Sequence, residues 1–386
     1  MKKRQFITFL TIALLLMLIV SSAACSSAPD SNKPIKIGMI RHFTGGSVIT
    51  GEELQRAVEF ALENANYEVN GRPIELISED ESDDPETAVA KAKKLIEQDK
   101  VDVILGPLLA HSVLAVEAYV KTTGVPMIPF GPADVAVSEY AYWWYATGMS
   151  GAEPGGIYAA KELGAKKVTF IYTDYLFSQQ LRDGFLAGFE ANGGSLVKNI
   201  PIPWNVTDLA PYLSEIGDCD ILAAFVVYPS DGALIKQYNE YGIDVPLFFT
   251  SSLMDPDGAL PFIGDDALGM YGTTFYTNEI DTPENKEFVS QWLARYDRYP
   301  EFAAIQGLVP ALWYLEGLEK TKGDPDHAKM IEALGQIKRI DSPSGPININ
   351  DVGTASQNYY IMQVGKSADD RYVWKVLATY EDVAPK

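Results

Sequence analysis

Histidine is scarce in this chain, and the side chains that could perform catalysis do not form a recognisable set. His42, His111 and His327 are the only three histidines, and no Gly-x-Ser-x-Gly elbow accompanies them to suggest a hydrolase. The chain also lacks the glycine-rich loops that hold phosphates or dinucleotides. The acidic run 79–84 lacks the spacing of a calcium loop and favours a helix-capping loop before Pro85. We therefore expect no enzymatic activity, no cofactor and no metal site.

The more informative polar and aromatic side chains follow the predicted strands, at the points where helices begin. In open parallel sheets, ligands bind beyond the carboxyl ends of the strands. A cleft at that edge would combine cationic donors with aromatic rings, which favours a small anionic ligand with an aromatic ring or an apolar tail. The candidate ligand-binding residues are Arg41, His42, Phe43, Leu109, Ala110, His111, Ser112, Phe130, Gly131, Pro132, Tyr175, Phe177, Tyr228 and Ser251.

Each candidate also has a purely structural interpretation. His42 or His111, taken alone, is typical of a surface or helix-capping residue, and Phe130 alone is typical of a core residue. Arg41 could equally pair with one of the abundant acidic side chains. The aromatic stretch 142–145 is typical of buried packing between domains, with ligand stacking as the alternative.

Short β-branched runs alternate with helical stretches, which is typical of parallel α/β units. The first half predicts strands at 35–40, 74–78, 101–105 and 126–129, with helices at 53–66, 85–98 and 112–123. The second half repeats that order, with strands at 167–172, 195–200, 220–227 and 246–249 and helices at 178–191, 209–216 and 231–241. Helices at 283–299, 303–320 and 325–334 and a hairpin of strands 359–364 and 372–379 follow.

Length and charge narrow the function further. At about 150 residues per domain, 386 residues suggest two domains. The chain has 31 Lys+Arg against 52 Asp+Glu, a net charge of −21. Such a negative surface repels phosphate backbones, so nucleic-acid binding is not expected.

The first 24 residues read as an export signal. Lys2, Lys3 and Arg4 precede an apolar run that is too short to span a bilayer comfortably, and small residues then lead to Cys25. This order is similar to a bacterial lipoprotein signal, in which the cysteine becomes lipidated and N-terminal; plain secretion is the alternative. Residues 25–34 would form a tether. Cys219 is the only other cysteine and is expected to lie in the core.

Several motifs in register carry a specific resemblance. They are Ile35-Lys36-Ile37-Gly38, Asn70-Gly71-Arg72-Pro73, Asp84-Pro85-Glu86-Thr87-Ala88, Val103-Ile104-Leu105-Gly106-Pro107, Gly124-Val125-Pro126, Leu163-Gly164-Ala165-Lys166-Lys167 and Asn285-Lys286-Glu287-Phe288. The chain resembles the branched-chain amino acid and amide-binding family of ABC-transporter solute receptors over residues 35–380. The resemblance implies a type I periplasmic-binding fold, an α/β fold of two Rossmann-like lobes joined by three strands. Lobe 1 would comprise 35–150 plus 277–347, and lobe 2 would comprise 151–276 plus 348–386.

The resemblance also implies partners and a location. A monomeric receptor would deliver its ligand to an ABC permease and its ATPase subunits, and lipid on Cys25 would hold it at the outer face of the cytoplasmic membrane. A module that senses ligand without transport remains the alternative.

Ligand identity is where the sequence departs from the amino-acid receptors it resembles. Ala110 and Pro132 align with the serine and threonine that hold the α-carboxylate in that family, and Ser251 aligns with the acid that holds the ammonium group. Phe177 retains an aromatic position. A small carboxylate, with aromatic acids included, is therefore the expected ligand. A branched-chain amino acid or amide receptor with different contacts, using Asp174 or Asp231 as the acid, is the alternative.

Overall fold

The computed structural model describes most of the chain after the predicted tether. The described residues are 33–44, 48–82, 84–131, 140–142, 148–227, 229–251, 257–350 and 354–385. The predicted signal peptide and Cys25 therefore lie outside the described residues, as do Pro132 and Tyr228 of the candidate site.

The first sheet is formed by the amino-terminal strands. Its strands are β1 (Ile35–Arg41), β2 (Glu68–Val69), β3 (Arg72–Asp80), β4 (Val103–Leu105) and β5 (Met127–Ile128), in the spatial order β2-β3-β1-β4-β5. β1 lies parallel to β3 and to β4, with Ile37 opposite Leu76 and Val103. β1 is buried along almost its whole length, as expected of a parallel strand covered by helices on both faces.

Three helices accompany this sheet. They are α1 (Val48–Asn64), α2 (Pro85–Lys93), which continues as a π-helical segment at Lys94–Asp99, and α3 (Ala110–Thr123). α2 begins where the sequence predicts, because Pro85 occupies the first turn and the Asp84 side chain accepts a hydrogen bond from the Thr87 amide at 2.8 Å.

The second sheet has nine strands and contains the terminal hairpin. Its spatial order is β11-β12-β13-β10-β9-β8-β6-β7, with β14 paired to β13. The strands are β6 (Lys167–Thr173), β7 (Ser195–Ile202), β8 (Ile221–Phe225), β9 (Leu247–Phe249), β10 (Tyr271–Thr274), β11 (Arg339–Ile340), β12 (Ile347–Ile349), β13 (Ala355–Lys366) and β14 (Tyr372–Val383). β7, β6, β8, β9 and β10 run parallel, whereas β13 joins β10 in antiparallel fashion.

The remaining helices connect and cover these strands. They are α4 (Gly148–Lys161), α5 (Leu176–Ala191), α6 (Ala210–Leu213), α7 (Ser230–Glu240), α8 (Ala259–Ile263), α9 (Pro283–Tyr296), α10 (Phe302–Lys320) and α11 (His327–Gln336). α10 returns to the first sheet and packs closely on α1, since a Cβ atom at Gly307 would lie 2.5 Å from the Leu54 carbonyl oxygen.

The predicted α/β architecture is confirmed, with several local differences. α4 and β10 are absent from the sequence-based expectation, and α6 is shorter than the predicted 209–216. Pro325 was expected in the first turn of a helix, but α11 begins at His327, because the Asp326 side chain accepts a hydrogen bond from the Lys329 amide and sets the start. Cys219 is buried, as predicted.

Candidate ligand-binding site

Arg41 and Phe43 form a stacked pair at the end of β1. The Arg41 guanidinium carbon lies 3.4 Å from the centre of the Phe43 ring, and its Nε donates to Gln55 Oε1 at 2.6 Å. Arg41 is only 6% exposed, and burial lowers its pKa despite the nearby acids Glu52, Glu59 and Asp80. The Phe43 side chain remains 40% exposed. The guanidinium therefore supports an aromatic ring at the edge of the sheet.

His42 points in the opposite direction, into the fold. Its side chain has no exposed surface, and its Nδ1 lies 3.5 Å from Oε1 of the equally buried Glu81. The same carboxylate oxygen accepts a hydrogen bond from the Leu108 amide at 3.2 Å. Glu81 therefore links the ends of β1 and β3 to the loop that leads into α3.

Asp80 holds the segment that carries Phe43. Its carboxylate accepts hydrogen bonds from the Phe43 amide at 2.9 Å and from Thr44 Oγ1 at 2.6 Å, and Ser82 adds two more. Burial acts to raise the pKa of Asp80, but these hydrogen bonds outweigh it and hold the pKa well below its usual range. The exposed ring of Phe43 is thus presented on a fixed backbone.

The start of α3 gathers four of the candidate residues. Leu109 occupies the N-cap position and supplies no side-chain cap for the first-turn amides. Ala110 and His111 are exposed there, whereas Ser112 is fully buried. Uncapped amides at a helix start carry partial positive charge, so this turn can bind an anion.

The loop after β5 packs directly behind this turn. A Cβ atom at Gly131 would lie 1.9 Å from the Leu108 carbonyl oxygen, so a side chain there would displace the loop. The Phe130 ring is fully buried and lies against Gly106. The side chains of Phe130 and His42 have no solvent-exposed surface. Both therefore lie beneath the carboxyl edge of the first sheet and not on it.

Phe177 and Ser251 come together in a small cavity at the edge of the second sheet. Its other lining residues include Thr250, Thr273, Phe275 and Tyr359. Thr273 is 1% exposed, and its hydroxyl oxygen has no hydrogen-bond partner among the described residues. The described lining of the cavity therefore offers hydroxyl groups and aromatic rings and includes no charged side chain.

Two glycines of α4 make room for the rings of this cavity. A Cβ atom at Gly148 would lie 3.1 Å from the Phe177 ring, and one at Gly151 would lie 2.8 Å from Tyr359 Oη. The absence of a Cβ atom at these two positions allows both aromatic rings to pack against the helix.

Tyr175 extends the aromatic surface toward the edge strand β7. Its ring centre lies 5.0 Å from that of Trp204 and 6.5 Å from that of Phe177. Burial raises the pKa of Tyr175 to about 12, so the phenol is neutral at ordinary pH. Trp204 is 54% exposed and was missed by the sequence-based selection. The sequence does indicate its position, because Trp204 follows the end of β7 by two residues, as the selected candidates follow the ends of their own strands.

Two other features, a metal-binding cluster and a membrane-spanning helix, are not found in the described part of the chain. Within it, no group of three or more His, Cys, Asp or Glu side chains could hold a metal ion. No helix among the described residues is both long enough and apolar enough to cross a membrane.

Comparison with known proteins places this geometry in a family. A family model described as periplasmic binding protein matches residues 34–369. The chain belongs to the periplasmic binding protein family. This confirms the resemblance found in the sequence and, with it, the type I periplasmic-binding fold.

Individual relatives align with nearly the whole length of this binding protein. The "Leu/Ile/Val-binding protein homolog 6" of Brucella suis is 26% identical, with 96% of this chain and 97% of that protein covered. An ABC transporter substrate-binding protein from Sphaerobacter thermophilus is 29% identical, with a TM-score of 0.85 over 91% of this chain and 99% of that one. A solute-binding protein of an ABC transporter from Rhodopseudomonas palustris BisB5, solved in complex with 3,4-dihydroxybenzoic acid, is 30% identical, with a TM-score of 0.82 over 91% of this chain and 98% of that one.

Proposed function

We propose that this periplasmic binding protein captures a small aromatic carboxylate and delivers it to an ABC importer. The observation that carries the proposal is the aromatic surface at the carboxyl edge of the second sheet, where the rings of Phe177, Tyr175 and Trp204 lie next to one another. The adjoining cavity has a volume of about 10 Å³, which is room for about one water molecule, and contributes hydroxyl groups rather than a site for the ring. A flat ring gains dispersion and hydrophobic stabilisation between aromatic side chains. The Rhodopseudomonas palustris relative, solved with 3,4-dihydroxybenzoic acid, supports the same ligand class.

The carboxylate end of the ligand would bind at the start of α3. The uncapped amides of Ala110, His111 and Ser112 can donate to an anion, and the His111 imidazole can add a further N–H donor. Phe43 would cover the ligand from the end of β1, with the Arg41 charge directly behind its ring. His42 and Phe130 would act from behind, by fixing the loops that carry these groups.

The ring of the ligand would lie against the second sheet. Tyr175, Phe177 and Tyr228 follow β6 and β8, and Ser251 follows β9. The hydroxyl group of Ser251 provides no negative charge for an ammonium group. Burying a cation without a paired acid costs several kcal/mol, so an ammonium group is disfavoured at Ser251.

Binding would proceed by closure of two lobes on the ligand. We assign 35–150 plus 277–347 to lobe 1 and 151–276 plus 348–386 to lobe 2, in keeping with the return of α10 to α1 and of β13 to β10. Closure would change the outer faces of both lobes, so that the permease and its ATPase subunits can distinguish loaded receptor from empty receptor. The receptor would act as a monomer and without catalysis.

A ligand panel tests the proposed class. We expect benzoate and 4-hydroxybenzoate to raise the melting temperature of the protein, because a ligand that binds only the folded state stabilises it. Phe177→Ala should weaken benzoate binding about tenfold in isothermal titration, since an aromatic contact and buried apolar area are lost. Phe262→Ala, the same change at a 91% exposed ring, should leave binding unchanged. Stabilisation by leucine or an aliphatic amide but not by aromatic acids would instead identify an amino-acid or amide receptor.

Membrane attachment is proposed to depend on Cys25. Mass spectrometry of the mature protein should show a chain that begins at Cys25 and carries a covalently attached lipid. Cys25→Ser should release the protein from the membrane fraction without changing its ligand affinity. A mature chain without lipid at Cys25 would indicate plain secretion.

A further inference from the structure

Asp231 is an acidic side chain at the carboxyl edge of the second sheet, and no basic side chain among the described residues forms an ion pair with it. It lies in the first turn of α7, which follows β8. Its Oδ1 accepts a hydrogen bond from the Gly232 amide at 2.8 Å. No ion pair to Asp231 occurs within the described ranges, and no charged neighbour contributes to its electrostatic environment. The carboxylate therefore has unused hydrogen-bonding capacity.

The strand order places the loop that leads to Asp231 between two segments that carry residues proposed to contact the ligand. In the sheet order β9-β8-β6, the loop after β8 lies between the segment after β6, which contains Tyr175 and the start of α5 with Phe177, and the loop that carries Ser251. Hydrogen bonds tie the starts of two of these segments to the neighbouring strands, from the Val227 amide to Thr173 Oγ1 of β6 at 3.2 Å and from the Thr250 amide to the Ala224 carbonyl of β8 at 3.0 Å.

The surroundings of Asp231 combine partial burial with nearby open space. Burial raises the pKa of Asp231, as expected when a carboxyl group is removed from water without a cation nearby. A Cβ atom built at Gly232 would meet no heavy atom of the described residues within 4 Å. A ligand group can therefore approach this turn, and a hydrogen-bond donor is the chemistry that the carboxylate would accept there.

We propose that the Asp231 carboxylate accepts a hydrogen bond from a hydroxyl group on the ligand ring and so selects hydroxy-substituted aromatic monocarboxylates. The inference rests on the proposed function and adds a specificity residue to it. A charge-assisted hydrogen bond favours the hydroxylated ligand, because an unsubstituted ring would leave the carboxylate desolvated and unpaired. A second carboxylate on the ring would be repelled by the same charge.

A purely structural role of Asp231 must be distinguished from direct contact with the ligand. An acidic residue in the first turn also stabilises a helix through the helix dipole. Loss of that effect would lower stability and weaken all ligands alike. The ratio of affinities for two ligands that differ only in the hydroxyl group responds to contact with the ligand alone.

Isothermal titration of the mature protein with benzoate, 4-hydroxybenzoate, 4-methoxybenzoate and terephthalate provides the test. The unaltered protein should bind 4-hydroxybenzoate at least about tenfold more tightly than benzoate or 4-methoxybenzoate, which lacks the hydroxyl hydrogen, and should reject terephthalate. Asp231→Asn should reduce the preference at least about fivefold and Asp231→Ala should abolish it, with benzoate affinity kept within about threefold. Asp174→Asn, at an exposed acid that follows β6 on the same edge, should retain the preference.

The outcomes are distinguishable. A preference that survives in both Asp231 variants, or an equal loss of benzoate and 4-hydroxybenzoate, would overturn the assignment. Equal binding of both acids by the unaltered protein would also overturn it and leave the proposed function intact. If no aromatic acid binds, the proposed function fails and the role of Asp231 fails with it.

Discussion

Replacing Gly156 with alanine is expected to lower the free energy of unfolding by about 3 kcal/mol or more. The added Cβ atom would lie 1.9 Å from the Phe185 carbonyl oxygen and 2.8 Å from the Phe189 amide nitrogen, and both are backbone atoms of α5. From α5, Cβ atoms at Gly184 and Gly188 would meet the backbone of α4 at 2.0 and 2.3 Å. The two helices are therefore in backbone contact, and a single methyl group must push them apart.

Urea denaturation of Gly156→Ala and of a matched helical control measures this effect. Gly335 lies near the end of α11, and a Cβ atom there would have no neighbour within 4 Å. Gly335→Ala should raise the free energy of unfolding by up to about 1 kcal/mol, because alanine has the higher helix propensity. Similar effects of the two substitutions would contradict the proposed backbone contact between α4 and α5.

This helix pair also explains the largest gap in what the sequence could predict. α4 contains Gly148, Gly151, Gly155 and Gly156 and an internal Pro154, all of which disfavour an isolated helix. Packing against α5 outweighs that local preference, because the glycines allow an approach that no larger residue permits. The alternating strand and helix pattern of residues 35–123 was predictable, since each of those elements carries its own hydrophobic period.

The sequence was enough to predict that the candidate residues lie at strand ends. It was not enough to predict in which direction each side chain points. Successive residues of an extended chain point to opposite faces, so Arg41, the last residue of β1, and His42, which follows it, differ in role. Arg41 contacts Phe43 and Gln55 on one face, whereas His42 is fully buried beside Glu81 on the other. Trp204 was missed because its loop contains no other feature typical of a ligand site. Its position beside Tyr175 depends on the pairing of β7 with β6.

The buried acid of the first sheet connects stability with ligand binding. Glu81 follows β3 directly, its side chain has no exposed surface, and it accepts a hydrogen bond from the Leu108 amide. Leu108 immediately precedes Leu109, the N-cap residue of α3. The loop before α3, where we propose that the ligand carboxylate binds, is thus held by a carboxylate that the ligand itself would not touch.

Glu81→Ala is expected to lower the free energy of unfolding by about 3 kcal/mol, because the Leu108 amide loses its carboxylate acceptor and His42 loses a buried acidic neighbour. Glu81→Gln keeps a hydrogen-bond acceptor and should lose about half as much. Glu75→Ala, within β3, removes an exposed carboxylate 3.9 Å from Lys36 Nζ and should change stability by less than about 0.5 kcal/mol. Urea denaturation gives all three values, and titration with benzoate should show weaker binding for Glu81→Ala alone, since only that change releases the loop before α3. Unaltered stability and affinity in Glu81→Ala would show that the buried carboxylate does not hold this loop in place.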